Sequence, residues 1–291
     1  MKIILHTGVH ATDEDRLIKC LLKNSGLLSP RNTAVPGPSR YRALIRDTLA
    51  AMDEGPLAPD ARDLLLDAII EGDRPERMIL SNDNFFCVPK AAVSKGSLYP
   101  GAETKLAKFC ELFGGDQIEL CIALRNPATY LPAVHAMSPA MPFEEFLAGS
   151  DPLGLRWSGL LTRLRQALPD LPITVWSNED TPLIWAEILR QMMGLPAGEK
   201  ISGGFDLLTE IMTREGMQRF RAYLKTHPVM SDEQKRRVIS AFLDKFGRPE
   251  AIIEELDVPG WTAPFVDHIT LQYEEDLDAI AQIPGLRMLT A

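Results

Sequence analysis

Short apolar runs typical of β-strands alternate with longer helical patterns through the first two-thirds of this 291-residue chain. This alternation predicts a parallel sheet whose strands are joined by crossover helices. The second and third strands are rich in apolar residues on both faces, as expected of strands that helices cover on both sides. The fold class is therefore α/β. The expected strands are Lys2–Thr7, Arg77–Ser81, Ile118–Leu124 and Ile173–Trp176.

Helical patterns fill the intervals between these strands, and several begin with Asp, Ser, Thr or Pro and end near Gly. They are Asp13–Asn24, Arg40–Met52, Pro59–Ile70, Pro100–Phe113, Pro152–Leu168 and Thr181–Met193. After Gly194 the strand pattern ends, and we expect helices alone, at Phe205–His227, Ser231–Phe246 and Asp267–Ile283.

We therefore expect a single domain, with an α/β core over residues 1–195 and a helical extension or cap over residues 196–291. The apolar faces of the last helices suit either the sheet or a second subunit. A homo-oligomer is accordingly one of the expected arrangements.

Composition excludes several classes of protein. The chain carries 31 Lys and Arg against 40 Asp and Glu, so its net charge of −9 argues against a general nucleic-acid or anionic-membrane surface. Its apolar runs are too short to span a bilayer, and its N-terminus lacks a basic leader with a cleavage site. We expect a cytoplasmic protein with reduced thiols and no metal site, because the cysteines lie singly, without the spacing of metal ligands. They are Cys20, Cys87, Cys110 and Cys121.

The first expected strand leads directly into Thr7-Gly8-Val9-His10-Ala11-Thr12 and then into a helix. Backbone N–H groups of such a turn, together with the helix N-terminus, can bind an anion. The full phosphate-loop pattern has a lysine just before Ser or Thr, where this chain has Ala11. The carboxylates of Asp13–Asp15 then follow, and they satisfy the helix dipole themselves and repel a phosphate. The residues alone favour an ordinary turn with Thr12 as the helix cap over an anion-binding loop.

Polar side chains follow the expected strands at their carboxyl ends, where open α/β sheets bind ligands. Arg125 follows the third strand, and its planar guanidinium suits phosphate oxygens as well as a surface carboxylate. Asp83 follows the second strand and is a candidate general base, although Asp and Asn after a strand are also common turn formers. His10 lies in the first loop and is a candidate hydrogen-bond donor to an anion bound there. His135, ten residues beyond Arg125, is a second candidate for the base.

Arg40, Arg42 and Arg46 form a local basic face on the helix that follows Ala34–Pro38. Arg42 and Arg46 share one side of this helix, because their spacing is four residues. The face suits an anionic substrate, and it also suits neutralisation of the acidic residues Asp13–Asp15, which is the more common arrangement.

Taken together, these segments resemble the bacterial sulfotransferase family. Members of this family transfer a sulfuryl group from 3′-phosphoadenosine 5′-phosphosulfate to a hydroxyl or amine. The resemblance implies a P-loop-type three-layer sandwich, in which helices flank a mostly parallel sheet of four to five strands, with a helical C-terminal extension. It covers roughly the first two-thirds of the chain and is carried, in order, by ILHTGVHAT, LLKNSGLL, LSNDNF, LYPGAETKLAKFCELFG, IALRNPATYLPAVH and VWSNEDTPLIWAEILRQMMG.

The resemblance also implies roles for single residues. The loop of Thr7, Gly8, Val9, His10, Ala11 and Thr12 would surround the 5′-phosphosulfate. Arg125 would contact the 3′-phosphate, and Asp83 would stand where many members have a glutamate near the acceptor. The family's loop lysine corresponds to Ala11, and the serine that joins the arginine corresponds to Ala133. Loss of such a transition-state charge clamp costs several kcal/mol.

Two functions are compatible with these residues. The first is a sulfotransferase that uses 3′-phosphoadenosine 5′-phosphosulfate as co-substrate and a small molecule or glycan as acceptor, with His10, Asp83 and His135 in catalytic roles. The second is a catalytically degenerate P-loop-fold protein that binds a partner or another anionic ligand. Convergence of His10, Arg125 and Asp83 on one pocket with at least one free cluster of backbone N–H groups favours the first, whereas a loop filled by Asp13–Asp15 favours the second. A small-molecule kinase is a weaker third interpretation, because Ala11 replaces the loop lysine.

Overall fold

The computed structural model describes residues 1–254, 256 and 258–291. A six-stranded sheet forms its centre. The strands are β1 Lys2–His6, β2 Thr33–Ala34, β3 Arg77–Ser81, β4 Val93–Ser94, β5 Ser97–Leu98, β6 Gln117–Leu124, β7 Ile173–Ser177 and β8 Leu286–Leu289. The sheet order is β2-β3-β1-β6-β7-β8, and each neighbouring pair is parallel. The strands β4 and β5 form a separate antiparallel hairpin.

Helices cover both faces of the sheet, so the molecule has three layers. The helices are α1 Arg16–Lys23, α2 Ser25–Leu28, α3 Pro38–Ala51, α4 Ala61–Ile69, α5 Ala102–Leu112, α6 Pro127–Ala136, α7 Phe143–Leu147, α8 Trp157–Ala167, α9 Thr181–Met193, α10 Asp206–Ile211, α11 Arg214–Thr226, α12 Asp232–Phe246, α13 Pro249–Ile252 and α14 Ala263–Ala281. One face carries α1, α2 and α9, and the other carries α3, α4, α5, α8 and α14.

Alternation along each strand divides the core between these faces. Ile3 and Leu5 belong to the larger apolar cluster, whereas Ile4 between them belongs to the cluster under α1 and α9. All three are fully or almost fully buried. This is the period-two pattern of a strand whose two faces are both covered, and it explains why the inner strands are recognisable as apolar runs.

The carboxyl end of β1 lies where the direction of winding reverses. From β1 the chain moves to β2 at one edge of the sheet, and after β3 it crosses to β6 on the opposite side of β1. Open α/β sheets bind ligands at such a reversal. The topology therefore indicates the loop between β1 and α1 as the place for a ligand site.

The α/β fold class is confirmed, and so are the four expected strands, which are β1, β3, β6 and β7. The helical extension is present as α10 to α13. The chain then differs from the expectation of helices alone after residue 194, because β8 adds to β7 in parallel register from Leu286 opposite Ile173 to Leu289 opposite Trp176. The strand is short and half-exposed at the sheet edge, so it lacks the apolar run that marks the inner strands.

The helix α14 covers the sheet, which is one of the two roles expected for the apolar C-terminal faces. Its Tyr273 and Ile280 belong to the larger apolar cluster. The buried Asp276 accepts hydrogen bonds from the backbone N–H groups of Trp157 (2.7 Å) and Ser158 (3.2 Å), so α14 caps the start of α8. The last helix is thereby attached to the core by apolar and polar contacts together.

No helix in the described part of the chain combines the length and apolar character needed to cross a membrane.

Gly216 of α11 and Gly159 of α8 each occupy the third position of their helix. The packing of α11 on α12 predicts that substitution of these two glycines by alanine changes the free energy of unfolding in opposite directions. A Cβ on Gly216 would lie 2.4 Å from Cβ of Phe246 and 2.8 Å from Cγ of Met212. Gly159 on α8 is exposed and has open space around it. We expect Gly216→Ala to lower the free energy of unfolding by about 1–3 kcal/mol through overpacking. Gly159→Ala is expected to raise it by about 0.5–1 kcal/mol.

Urea denaturation of both variants measures this difference. Equal, stabilising effects of the two substitutions would contradict the close packing of Gly216 against α12.

Candidate functional site

The loop between β1 and α1 continues the hydrogen bonding of the sheet. The N–H of Thr7 donates to the carbonyl of Cys121 (3.2 Å), and the N–H of Val9 donates to the carbonyl of Ala123 (3.0 Å). The N–H of His10 donates to the Tyr99 hydroxyl at 3.0 Å. Three backbone donors that an anion-binding loop would offer to a ligand are thus already bonded within the protein.

Gly8 allows Asp83 to lie directly against this loop. Its φ of +85° is one that residues with a side chain rarely adopt, and a Cβ there would lie 3.3 Å from both Cα and Cβ of Asp83. The residues after β3 therefore meet the loop after β1. Asp83 is only partly buried, so its carboxylate remains in contact with solvent.

A chain of hydrogen bonds from Asp83 fixes the tautomer of His10. The carboxylate of Asp83 accepts from Asn84 Nδ2 (3.1 Å), which turns Asn84 Oδ1 toward His10 Nε2 at 3.3 Å. Because that oxygen can only accept, Nε2 carries the proton and Nδ1 accepts from the Tyr99 hydroxyl at 2.6 Å. His10 is therefore held as a neutral ring with both nitrogens bonded, and burial lowers its pKa below the ordinary 6.5.

Tyr99 and Tyr130 complete this network, and neither was singled out by the sequence. The Tyr130 hydroxyl donates to the Tyr99 hydroxyl at 2.9 Å, and both side chains are fully buried. The ring of Tyr99 also stacks on His10, with centroids 5.4 Å apart. A buried tyrosine needs a partner for its hydroxyl, which is the one signal that could have pointed to Tyr99, but no local pattern connects it with His10.

The start of α1 is capped by the chain's own carboxylate. The carbonyl of Asp13 accepts from the N–H of Arg16 (2.7 Å), and its Oδ2 accepts from the N–H of Leu17 (3.2 Å). Burial raises the pKa of Asp13 above the ordinary 3.8. Thr12, the expected cap, instead donates its hydroxyl to the carbonyl of Val9 at 2.6 Å. Asp13 thus accepts from a backbone N–H of the first helical turn, the kind of donor that anions use at helix N-termini.

The arginines of α3 pair with carboxylates. Arg42 Nη2 lies 2.5 Å from Asp15 Oδ1, and Arg42 Nε donates to the carbonyl of Ser81 at 2.9 Å. Arg46 pairs with the neighbouring Asp47 at 2.8 Å, and Arg40 pairs with Glu71. The basic face was expected either to receive an anionic substrate or to neutralise acidic residues. These contacts agree with the second interpretation.

Arg125 contacts the loop through a guanidinium that already has three hydrogen-bond partners within the protein. Its side chain is almost fully buried, Nη1 donates to the carbonyl of Ala11, and Nη2 pairs with the carboxylate of Glu254. The remaining Nε donates to the Thr129 hydroxyl at 3.1 Å. Of the two partners expected for Arg125, phosphate oxygens or a carboxylate, the structure contains the carboxylate. It belongs to Glu254, at the end of the helical extension.

His135 lies apart from this cluster. Its Nε2 bonds to the carbonyl of Met141 at 2.6 Å, and its ring contacts Phe143 and Phe146. The structure therefore brings His10, Asp83 and Arg125 to one loop and leaves His135 among apolar side chains of α6 and α7.

At the start of the loop, two buried polar atoms have no hydrogen-bond partner among the described residues, namely His6 Nε2 and Thr7 Oγ1. His6 lines a cavity of about 20 Å³ together with Thr12, Asp13 and Trp176. That volume accommodates about one water molecule. It is too small for a phosphate group, so the phosphosulfate of the expected donor does not fit inside this cavity.

Among the residues that the structure describes, no group of three or more His, Cys, Asp or Glu side chains is placed to hold a metal ion.

Comparisons with known proteins give low similarities. No family model and no curated protein matches the chain. The fold is similar to a sulfotransferase from Alicyclobacillus acidocaldarius, with a TM-score of 0.42 and 11% identity over 82% of this chain and 97% of that one. It is also similar to a retinol dehydratase in complex with androsterone and the inactive cofactor PAP, with a TM-score of 0.32 and 11% identity over 98% of this chain and 82% of that one. Both TM-scores are low, so the description of the site rests on this chain's own residues.

The burial of His10 predicts a loss of stability in mild acid. Because the folded-state pKa is lowered, the unfolded chain binds more protons below about pH 6.5. The free energy of unfolding is therefore expected to fall as the pH drops from 6.5 toward the lowered pKa. His6, whose pKa burial also lowers, contributes in the same direction.

Chemical denaturation between about pH 5 and 8 measures this dependence. We expect His10→Gln to flatten the curve. Identical curves for the wild type and His10→Gln would contradict a neutral buried His10.

Proposed function

We propose that this chain is a sulfotransferase-like P-loop-fold protein whose donor site is filled by its own carboxylates, and that it binds a partner or another anionic ligand instead of transferring sulfuryl groups. The observation that carries the proposal is the bond from the Leu17 N–H to the Asp13 carboxylate at the start of α1. A donor phosphosulfate and this carboxylate need the same backbone donors.

The electrostatics of the loop support the proposal. Sulfuryl transfer, like phosphoryl transfer, depends on positive charge around the oxygens that become negative. This loop has Ala11 in place of a lysine, and Asp13, Glu14 and Asp15 follow it. Two like charges about 4 Å apart near a protein surface repel each other by about 4 kcal/mol. A phosphosulfate in this loop would meet such repulsion with no lysine to offset it.

Two arginines beside the loop give further support. Arg42 is bonded to Asp15, and Arg125 is bonded to Glu254 and to the Ala11 carbonyl. A donor would have to displace these carboxylates before either guanidinium could bind it. Only the Arg125 side chain of these pairs is buried, so displacement of Glu254 is costly because it leaves a buried guanidinium without its carboxylate.

A second candidate function is sulfuryl transfer from 3′-phosphoadenosine 5′-phosphosulfate to a hydroxyl or amine of a small molecule or glycan. The position of Asp83 against Gly8 and the unpartnered Thr7 hydroxyl favour it, because a base and a free donor would then stand at the donor loop. In this candidate Glu254 moves away when the donor binds, Arg125 contacts the 3′-phosphate and Asp83 accepts the proton of the acceptor. His10 holds the loop as a neutral ring.

Titration with adenosine 3′,5′-bisphosphate, followed by calorimetry and thermal unfolding, separates the two candidates. A ligand that binds the folded state at 100 times its Kd stabilises it by about 2.7 kcal/mol. We expect no heat of binding and no rise in Tm for the wild type. The variant Ala11→Lys/Asp13→Asn/Glu14→Gln is expected to bind, because it supplies the lysine, removes two charges and leaves at α1 a neutral amide oxygen, which a phosphate displaces from the Leu17 N–H more easily than a carboxylate.

The matched control is Ala58→Lys/Asp60→Asn/Glu54→Gln, which makes the same changes on an exposed loop. It is expected not to bind. Saturable binding by the wild type that Arg125→Ala abolishes would contradict the first candidate and establish the donor site of the second.

A further inference from the structure

A pocket of about 400 Å³ lies between α9, residues 198–205 and the helices α11 and α12. This volume is within the usual range of small-molecule sites, about 300–1,000 Å³. The pocket lies on the side of α9 that faces the helical extension and contains no residue of the loop after β1. Its apolar walls come from Leu183, Ala186, Ile201, Leu224, Met230 and Ile239.

The charges around the pocket leave an excess of positive charge. Glu187 and Glu199 at its edge are each paired with an arginine outside the lining, both at 2.8 Å. Asp232 is shared between Arg190 (3.2 Å) and Lys235 (3.1 Å). Lys200 at the rim has no carboxylate partner within the described part of the chain. Three carboxylates and three cations line the pocket, and the two arginines outside the lining give the whole group an excess of positive charge. The net charge of the protein is −9.

Arg190 is the buried charge of this pocket. Its side chain is 9% exposed, and within the residues described its hydrogen-bond partner is Asp232 Oδ1 alone, which accepts from Nη2. A guanidinium has five N–H donors, and it forms its strongest bonds as a fork with carboxylate oxygens. Donors of Arg190 are thus free to bind an anion beside an apolar wall.

We propose that this pocket binds a monoanionic amphiphile, with its carboxylate on Arg190 and its apolar chain along α9 between Ala186 and Ile239. An apolar ligand without charge would leave the donors of Arg190 unsatisfied, and a small inorganic anion would leave the apolar walls exposed to water. A carboxylate on an alkyl chain binds the free donors of Arg190 and also covers the apolar walls. The lysines at positions 200 and 235 attract the same charge.

Decanoate and decan-1-ol are the probes, because they have the same chain length and differ in charge. Calorimetry and the fluorescence of Trp185, which lines the pocket, measure their binding to the full chain. We expect decanoate to bind the wild type with one-to-one stoichiometry and at least about tenfold more tightly than decan-1-ol.

Two variants and a control locate the site. Arg190→Gln is expected to weaken decanoate binding about tenfold with decan-1-ol binding unchanged, and Lys235 still pairs with Asp232 in this variant. Ala186→Phe fills the pocket and is expected to weaken both ligands. Arg219→Gln changes an exposed arginine of α11 that pairs with Glu215, and it is expected to change neither.

Thermal unfolding of each variant without ligand checks that it is folded. The proposal is overturned if the wild type does not bind decanoate, if it binds both probes equally, or if a folded Arg190→Gln retains the wild-type affinity. The comparison of the two probes on the wild type tests the proposal even if a variant does not fold.

Discussion

The hydrogen bond between the Asp13 carboxylate and the first turn of α1 occupies a backbone donor at the carboxyl edge of this sheet. A helix N-terminus beside the end of a central parallel strand is a general anion site, because its N–H groups have no partner within the helix. Here the anion is part of the chain. Two arginines near this edge are also paired with carboxylates of the chain, because Asp15 binds Arg42 and Glu254 binds Arg125. The edge is therefore electrostatically satisfied without a ligand.

The loop after β1 is bonded to several different parts of the fold. The loop after β1 is held by β6 through backbone bonds, by Tyr99 through His10, and by Arg125 through the Ala11 carbonyl. Each contact comes from a different element, so the loop joins the sheet, the hairpin segment and α6 into one unit. Movement of the loop to admit a donor would break several of these bonds together. The same contacts that stabilise the fold thus oppose binding of the donor.

The fold was largely predictable from the sequence, whereas the state of the site was not. The inner strands are apolar on both faces, and this local pattern identified β1, β3, β6 and β7, but β8 is a half-exposed edge strand with no such pattern. The sequence also indicated that His10, Asp83 and Arg125 lie at one edge. Their partners come from distant parts of the chain: Tyr99 lies 89 residues from His10, and Glu254 lies 129 residues from Arg125. The periodic spacing of apolar residues indicates which side chains are buried. It gives no information on which side chains from distant parts of the chain form hydrogen bonds or ion pairs.

The most direct test of a carboxylate-filled site is a pH titration of the Leu17 backbone amide by nuclear magnetic resonance. If Asp13 caps α1, the Leu17 amide resonance follows the ionisation of Asp13, with a midpoint above the ordinary 3.8 because burial raises this pKa. The titration disappears in Asp13→Asn, and adenosine 3′,5′-bisphosphate leaves the resonance in place. A Leu17 amide that ignores Asp13 and shifts saturably with the bisphosphate would contradict the account.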